Sequence, residues 1–173
     1  MKKAIKNTVT IVFGFLFISG ITACNQVMYK SPLSGDLVPV TFWATDLNKR
    51  NVFYTDELVV VQLIDSSTEK YLGFLRLEYT DPKQRIDIMA RKPVTLLFAE
   101  VDPHIGYTVE CIGELEFNPE AQSQYVIEYD FIIKDENSIY KKGDCYAKII
   151  KKMKSGKEKV VKRKNFDIVT KPL

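Results

Sequence analysis

Residues 107–117 read YTVECIGELEF, in which Tyr107, Val109, Cys111, Gly113, Leu115 and Phe117 take every second position and Thr108, Glu110, Glu114 and Glu116 stand between them. Successive side chains of an extended chain point to opposite faces, so this alternation makes one dry and one wet face, as a half-buried β-strand has. The same period recurs on both sides. Upstream it is carried by Val38, Val40 and Phe42, by Val59, Val61 and Leu63, and by Tyr71 to Leu77, where Gly73 marks a bulge or a close backbone approach. Residues 85–100, RIDIMARKPVTLLFAE, place Ile86, Ile88 and Ala90 before a polar corner and Val94, Leu96 and Phe98 after it. They read as two strands joined by a turn in which Pro93 has no N–H to give a ladder.

Downstream, Tyr125, Ile127, Tyr129, Phe131 and Ile133 form a long alternating run, and Cys145, Ala147 and Ile149 resume the register after a turn at Lys142, Gly143 and Asp144. In the tail, Ile149, Ile150, Met153, Val160 and Val161 also fit a helical stripe, but Ser155 and Gly156 interrupt it. The reading is therefore a basic hairpin turning at Lys154 to Lys157, with Val160, Phe166 and Ile168 on the returning strand. Nine Tyr and ten Phe against four Met support strands over helices. Eight or nine short antiparallel strands predict an all-β fold, a two-sheet antiparallel β-sandwich of immunoglobulin- or transthyretin-like kind, with a small β-barrel as the alternative. At 173 residues, 46% hydrophobic and 27% charged, the chain suits one globular domain and excludes a disordered or collagen-like one.

Residues 1–24, MKKAIKNTVTIVFGFLFISGITAC, carry Lys2, Lys3 and Lys6 before an apolar stretch from Thr8 to about Ile21. About fourteen apolar residues fall short of the roughly twenty that a spanning helix needs, so the segment reads as an export signal. Its end, Ile21-Thr22-Ala23-Cys24, resembles the lipobox of bacterial lipoproteins, with isoleucine where leucine is more usual. The resemblance covers only the signal and Cys24. It implies cleavage after Ala23, lipid attachment at the Cys24 thiol, and acyl chains holding the protein to a membrane. Asn25, in place of the aspartate that retains such proteins at the inner membrane, implies the outer membrane, periplasm-facing or at the cell surface. The domain reading is then 1–23 signal peptide, 24–36 a polar lipidated tether with Pro32, Ser34 and Gly35, and 37–173 a single sandwich domain.

With Cys24 lipidated, Cys111 and Cys145 remain as an even pair in an oxidising compartment, which predicts a structural disulfide between inward-facing positions of two strands. Without the leader's three lysines, twenty-two bases meet twenty-two acids. The distribution is uneven: residues 24–133 carry nine bases and seventeen acids, residues 134–164 twelve bases and four acids. Lys151, Lys152, Lys154, Lys157, Lys159, Lys162, Arg163 and Lys164 are the candidate partner-binding residues, for docking on lipid phosphates or an acidic protein. The same lysines also suit protection of an edge strand against aggregation, or neutralisation of the acidic remainder.

Catalytic groupings are sparse. His104, in VDPHIG, is the single histidine and reads as a surface-loop residue. Glu114 and Glu116 share the wet face of one strand, where solvated acids account for them as well as an acid and base pair does. There is no G-x-S-x-G, P-loop, G-x-G-x-x-G or EF-hand loop, so neither catalytic residues, nor cofactor, nor metal are expected. The expected function is a non-catalytic binding or adaptor module for another envelope component. Inhibition of a lysozyme-type hydrolase, or an accessory role in secretion or assembly, is the alternative. Nucleic acid is not an expected partner outside the cell, and the sequence leaves the oligomeric state open.

Overall fold

In a computed structural model, residues 27–45, 47, 58–104, 107–133 and 143–172 are described. The leader, Cys24 and the first residues of the expected tether lie outside them. Among the described residues ten strands follow one another: β1 (Leu37–Ala44), β2 (Leu58–Asp65), β3 (Lys70–Glu78), β4 (Lys83–Met89), β5 (Val94–His104), β6 (Tyr107–Phe117), β7 (Gln124–Ile133), β8 (Gly143–Lys152), β9 (Glu158–Asn165) and β10 (Asp167–Pro172). No helix occurs among the described residues. Two five-stranded sheets form, in the orders β4-β1-β7-β8-β9 and β10-β6-β5-β2-β3. They remain open at their edges, so the fold is the expected β-sandwich and not the barrel.

An immunoglobulin domain pairs its first strand with its second. Here β1 lies between β4 and β7, and β2 lies between β3 and β5. That order excludes the immunoglobulin arrangement and leaves the transthyretin-like one of the two expected. One pairing corrects the all-antiparallel expectation: β1 runs parallel to β7, with Val40 opposite Tyr125 and Ala44 opposite Tyr129. A parallel pair needs a long connection, and here β2 to β6, four of them in the second sheet, supply it.

Both layers contribute to one core, in which Phe42, Phe98, Tyr129 and Phe131 are the largest fully buried side chains. Phe98 of β5 stacks on Tyr129 of β7 at 5.4 Å and on Phe166 at 5.9 Å between ring centres, so one aromatic column joins the sheets. Cys111 of β6 and Cys145 of β8, both buried, form the expected disulfide with their Cα atoms 6.3 Å apart. It ties two inward positions, one from each sheet.

Phe166 also corrects the reading of the tail. β9 returns along β8 as a hairpin, but at Phe166 the chain crosses to the other layer, and β10 with Ile168 pairs with β6. Gly113 of β6 permits the crossing, because a Cβ there would stand 2.1 Å from the Phe166 ring.

On the opposite edge, the stretch expected to hang as a tether is bonded to the domain from Val27 onward. Phe74 N–H donates to the Val27 carbonyl (3.3 Å) and Tyr29 N–H to the Phe74 carbonyl (2.9 Å), both on β3. The Tyr29 hydroxyl donates to the Asp87 carbonyl of β4, and Asp87 N–H donates to Ser31 Oγ, each at 2.9 Å. This strap spans the β3 and β4 edges and stitches the layers together. Gly73 has φ 134° and a Cβ on it would lie 2.6 Å from Tyr29 Cα, while the β2 to β3 register shifts beside it. Close approach and bulge therefore coincide at this glycine.

The strand registers define two ends of the sandwich. One carries the β2–β3 turn, the β4–β5 corner, the β6–β7 link and the β8–β9 hairpin. The other carries the β3–β4 turn and Pro172 of β10.

Candidate partner-binding surface

β8 is inward-facing at Cys145, Ala147 and Ile149, and β9 pairs outside it as an edge strand whose eight residues are all exposed. Among the described residues, no strand lies beyond β9 in its sheet. The hairpin closes where predicted: Met153 N–H donates to the Lys157 carbonyl (2.8 Å) and Gly156 N–H to the Met153 carbonyl (2.9 Å). Gly156 has φ 78°, which a residue without a Cβ adopts at low cost. Beside the hairpin lies an open groove of about 610 Å³, lined by Gln122, Gln124, Lys152, Met153, Lys154 and Glu158 among others.

The eight basic candidates divide by what they touch. Lys151 reaches Glu120 at 2.6 Å, Lys152 reaches Glu158 at 3.9 Å and Lys164 reaches Glu114 at 3.8 Å. Lys162 Nζ donates to the Glu116 carbonyl at 2.8 Å, and Arg163 lies over the Tyr146 ring at 4.0 Å. Lys154, Lys157 and Lys159 make no ion pair with a described residue. Part of the basic tail is therefore spent on the acidic remainder of the domain, and those three remain presented to solvent. Exposed pairs of this kind contribute about 0–1 kcal/mol each. Their effect is to fix where β9 lies. β10 covers β6 only as far as Ile112. Lys162 thus supplies a donor to a β6 carbonyl beyond the reach of that ladder.

The outward face of the same sheet is a row of charges and rings. Lys83 sits 3.9 Å from the Trp43 ring, Lys148 pairs with Glu128, and the Tyr146 hydroxyl donates to Asp130 Oδ2 at 2.9 Å. Asp130 is 4% exposed, and its Oδ1 has no hydrogen-bond partner among the described residues. Sequence reasoning missed Asp130 and also Glu100, which is 1% exposed at an inward position of β5. The signal for Glu100 was present, since it keeps phase with Val94, Leu96 and Phe98. For Asp130 it was not, because alternation places it on a face that the sequence reads as wet.

Comparison with protein-family models, with curated proteins and with solved structures returns no match.

Of the two strand acids, the Glu114 carboxylate faces Lys164 at 3.8 Å, and the Glu116 backbone carbonyl accepts from Lys162. His104, expected in a turn, is the last residue of β5, opposite Tyr107. No group of His, Cys, Asp and Glu among the described residues is arranged to hold a metal ion.

Burial, then the hydrogen bond to Asp130, pushes the Tyr146 phenol up from 10.0 to about 12. Burial and Asp87 do the same for Tyr29 of the strap. Both phenols are neutral donors in the fold, so their contribution is complete below pH 10 and is lost as pH rises through about 12. Denaturant midpoints should fall across that alkaline window, and Tyr146→Phe should flatten the fall while lowering stability at neutral pH. A wild-type midpoint that stays level through the window would contradict the assignment.

Proposed function

We propose that the chain is a bacterial envelope lipoprotein, lipidated at Cys24 and anchored in the outer membrane, whose β-sandwich is a non-catalytic binding or adaptor module for another envelope component. The supporting observation is β9: an edge strand exposed along its whole length, with Lys159 in no ion pair with a described residue and Val160 and Val161 exposed at 54% and 45%. Lysine on an open edge discourages pairing with a second copy of the same strand. It still permits an acidic partner chain to approach, because opposite charge favours that encounter. The disulfide suits the same reading, since such bonds persist outside the cytosol.

Lys159→Glu combined with Val161→Asp should reduce recovery of crosslinked partner from the native envelope, with the thermal midpoint little changed. Surface substitutions of this kind fall within about 0.5 kcal/mol of neutral. Undiminished recovery by a folded variant would remove β9 as the docking strand.

A further inference from the structure

We propose that the end of the sandwich bearing the β8–β9 hairpin lies on an anionic lipid surface. The inference rests on lipidation of Cys24 and adds to it the orientation of the domain. Met28 pairs with Phe74 in parallel with β3. The Val27 end of the strap therefore faces the Lys70 end of that strand, which is the hairpin end of the sandwich. Only Asn25 and Gln26 lie between Cys24 and Val27, so three Cα–Cα steps join them. At about 3.6 Å per extended residue they span no more than about 11 Å, so an acylated Cys24 holds this edge close to the headgroups.

The chemistry of that end fits a bilayer surface. Lys70, Lys92, Lys154 and Lys157 are exposed there and make no ion pair with a described residue. The neighbouring acids are engaged: Asp36 with Arg91, Glu120 with Lys151, Glu158 with Lys152, and Asp65 as acceptor from Ser67 and Thr68. Glu69 and Glu116 are the exceptions: both are exposed, and of Glu116 only the backbone carbonyl is engaged, by Lys162. Among the cations stand exposed apolar side chains, Tyr71 at 42% and Met153 at 45%, with Leu33 of the strap at 102%. Each lysine held near an anionic surface contributes roughly 1 kcal/mol, and apolar side chains between them enter the interface. Acyl chains on one edge and the hairpin on the other thus give two supports and prevent the domain from swinging about its anchor. β9 then rises from the surface with its free edge open to a partner. Pro172 lies toward the opposite end of its layer, in which the eleven-residue β6 measures about 37 Å.

The test uses the full lipidated protein from its own envelope, reconstituted in vesicles of phosphatidylcholine with phosphatidylglycerol and, separately, of phosphatidylcholine alone. Lysine acylation by a membrane-impermeant reagent is read residue by residue by mass spectrometry, against the same protein in detergent. On anionic vesicles, acylation of Lys70, Lys92, Lys154 and Lys157 should slow about fivefold at each, the equivalent of 1 kcal/mol. Lys83 and Lys171, at the far end, should be unchanged. Equal protection on zwitterionic vesicles would overturn the electrostatic part. Lipidated protein with all four lysines unprotected would overturn the orientation and leave the anchor standing, whereas protein without lipid at Cys24 would overturn both. Protection in native envelope but not on vesicles would assign this end to an acidic protein instead.

Discussion

Replacing Cys111 and Cys145 together by alanine should cost about 4 kcal/mol of unfolding free energy, the chain-entropy value for a bridge across 34 residues. The bridge closes a loop that leaves β6, crosses to the other layer as β7 and returns as β8. Without it, the unfolded ensemble gains that loop's freedom and the folded state loses its covalent tie between sheets. Since small domains have roughly 5–15 kcal/mol in total, the variant should remain folded at room temperature with a much lower denaturant midpoint and a somewhat steeper slope, because the uncrosslinked unfolded chain exposes more surface. Reduction of the wild type under mild denaturant should produce the same midpoint. A midpoint insensitive to both treatments, or two alkylatable thiols in the native protein, would contradict the bridge.

The second large effect is expected at the aromatic column. Phe98 is fully buried between Tyr129 and Phe166, and Phe98→Ala should destabilise by about 3–5 kcal/mol through lost burial and an unfilled cavity. Phe166 is the residue at which the chain changes sheets, so its loosening should free β10 from β6 before the rest unfolds. Hydrogen exchange would register this as early loss of protection at Val169 and Lys171, while β1 and β7 hold theirs. Phe98→Leu should lose much less and keep β10 in place. A cost below about 1 kcal/mol for the alanine variant would mean that the column does not organise the core.

What the sequence discloses here, and what it conceals, follows from the range of the interactions involved. Period-two patterning is local, so Tyr107 to Phe117, Tyr125 to Phe131 and Val38 to Phe42 announce strands and their dry faces without outside help. Hairpin closure at Lys154 to Lys157 is equally local, because Ser155 and Gly156 belong to the turn itself. Assignment of strands to layers is not. Residues 85–100 read as two strands joined by a turn, and so they are, but that β4 and β5 fall in different sheets depends on a long-range contact: Arg91, at φ 59°, donates its N–H to the carbonyl of Pro119. The run from Val160 to Ile168 reads as one strand, and only the packing of Phe166 against Phe98 and Gly113 divides it.

The strap was concealed for a related reason. NQVMYKSPLSGD has the composition of a linker, and its structure depends on Tyr29 reaching Asp87 and on the space above Gly73. The basic tail shows the same limit in its electrostatics. Counting charges reveals the excess from 134 to 164, but which lysines remain presented depends on acids 31 to 50 residues away in sequence, Glu120 and Glu114 among them. Five of the eight candidates turn out to be engaged within the domain, and the open ones concentrate at the hairpin and the first residues of β9.

The anchor reading is tested most directly by the intact mass of protein extracted from its native envelope. The account predicts a chain that begins at Cys24 and carries the added mass of a diacylglyceryl group, with or without a further acyl chain on the new amino group. A chain that retains Met1 to Ala23, or one that begins elsewhere with Cys24 unmodified or missing, would contradict it.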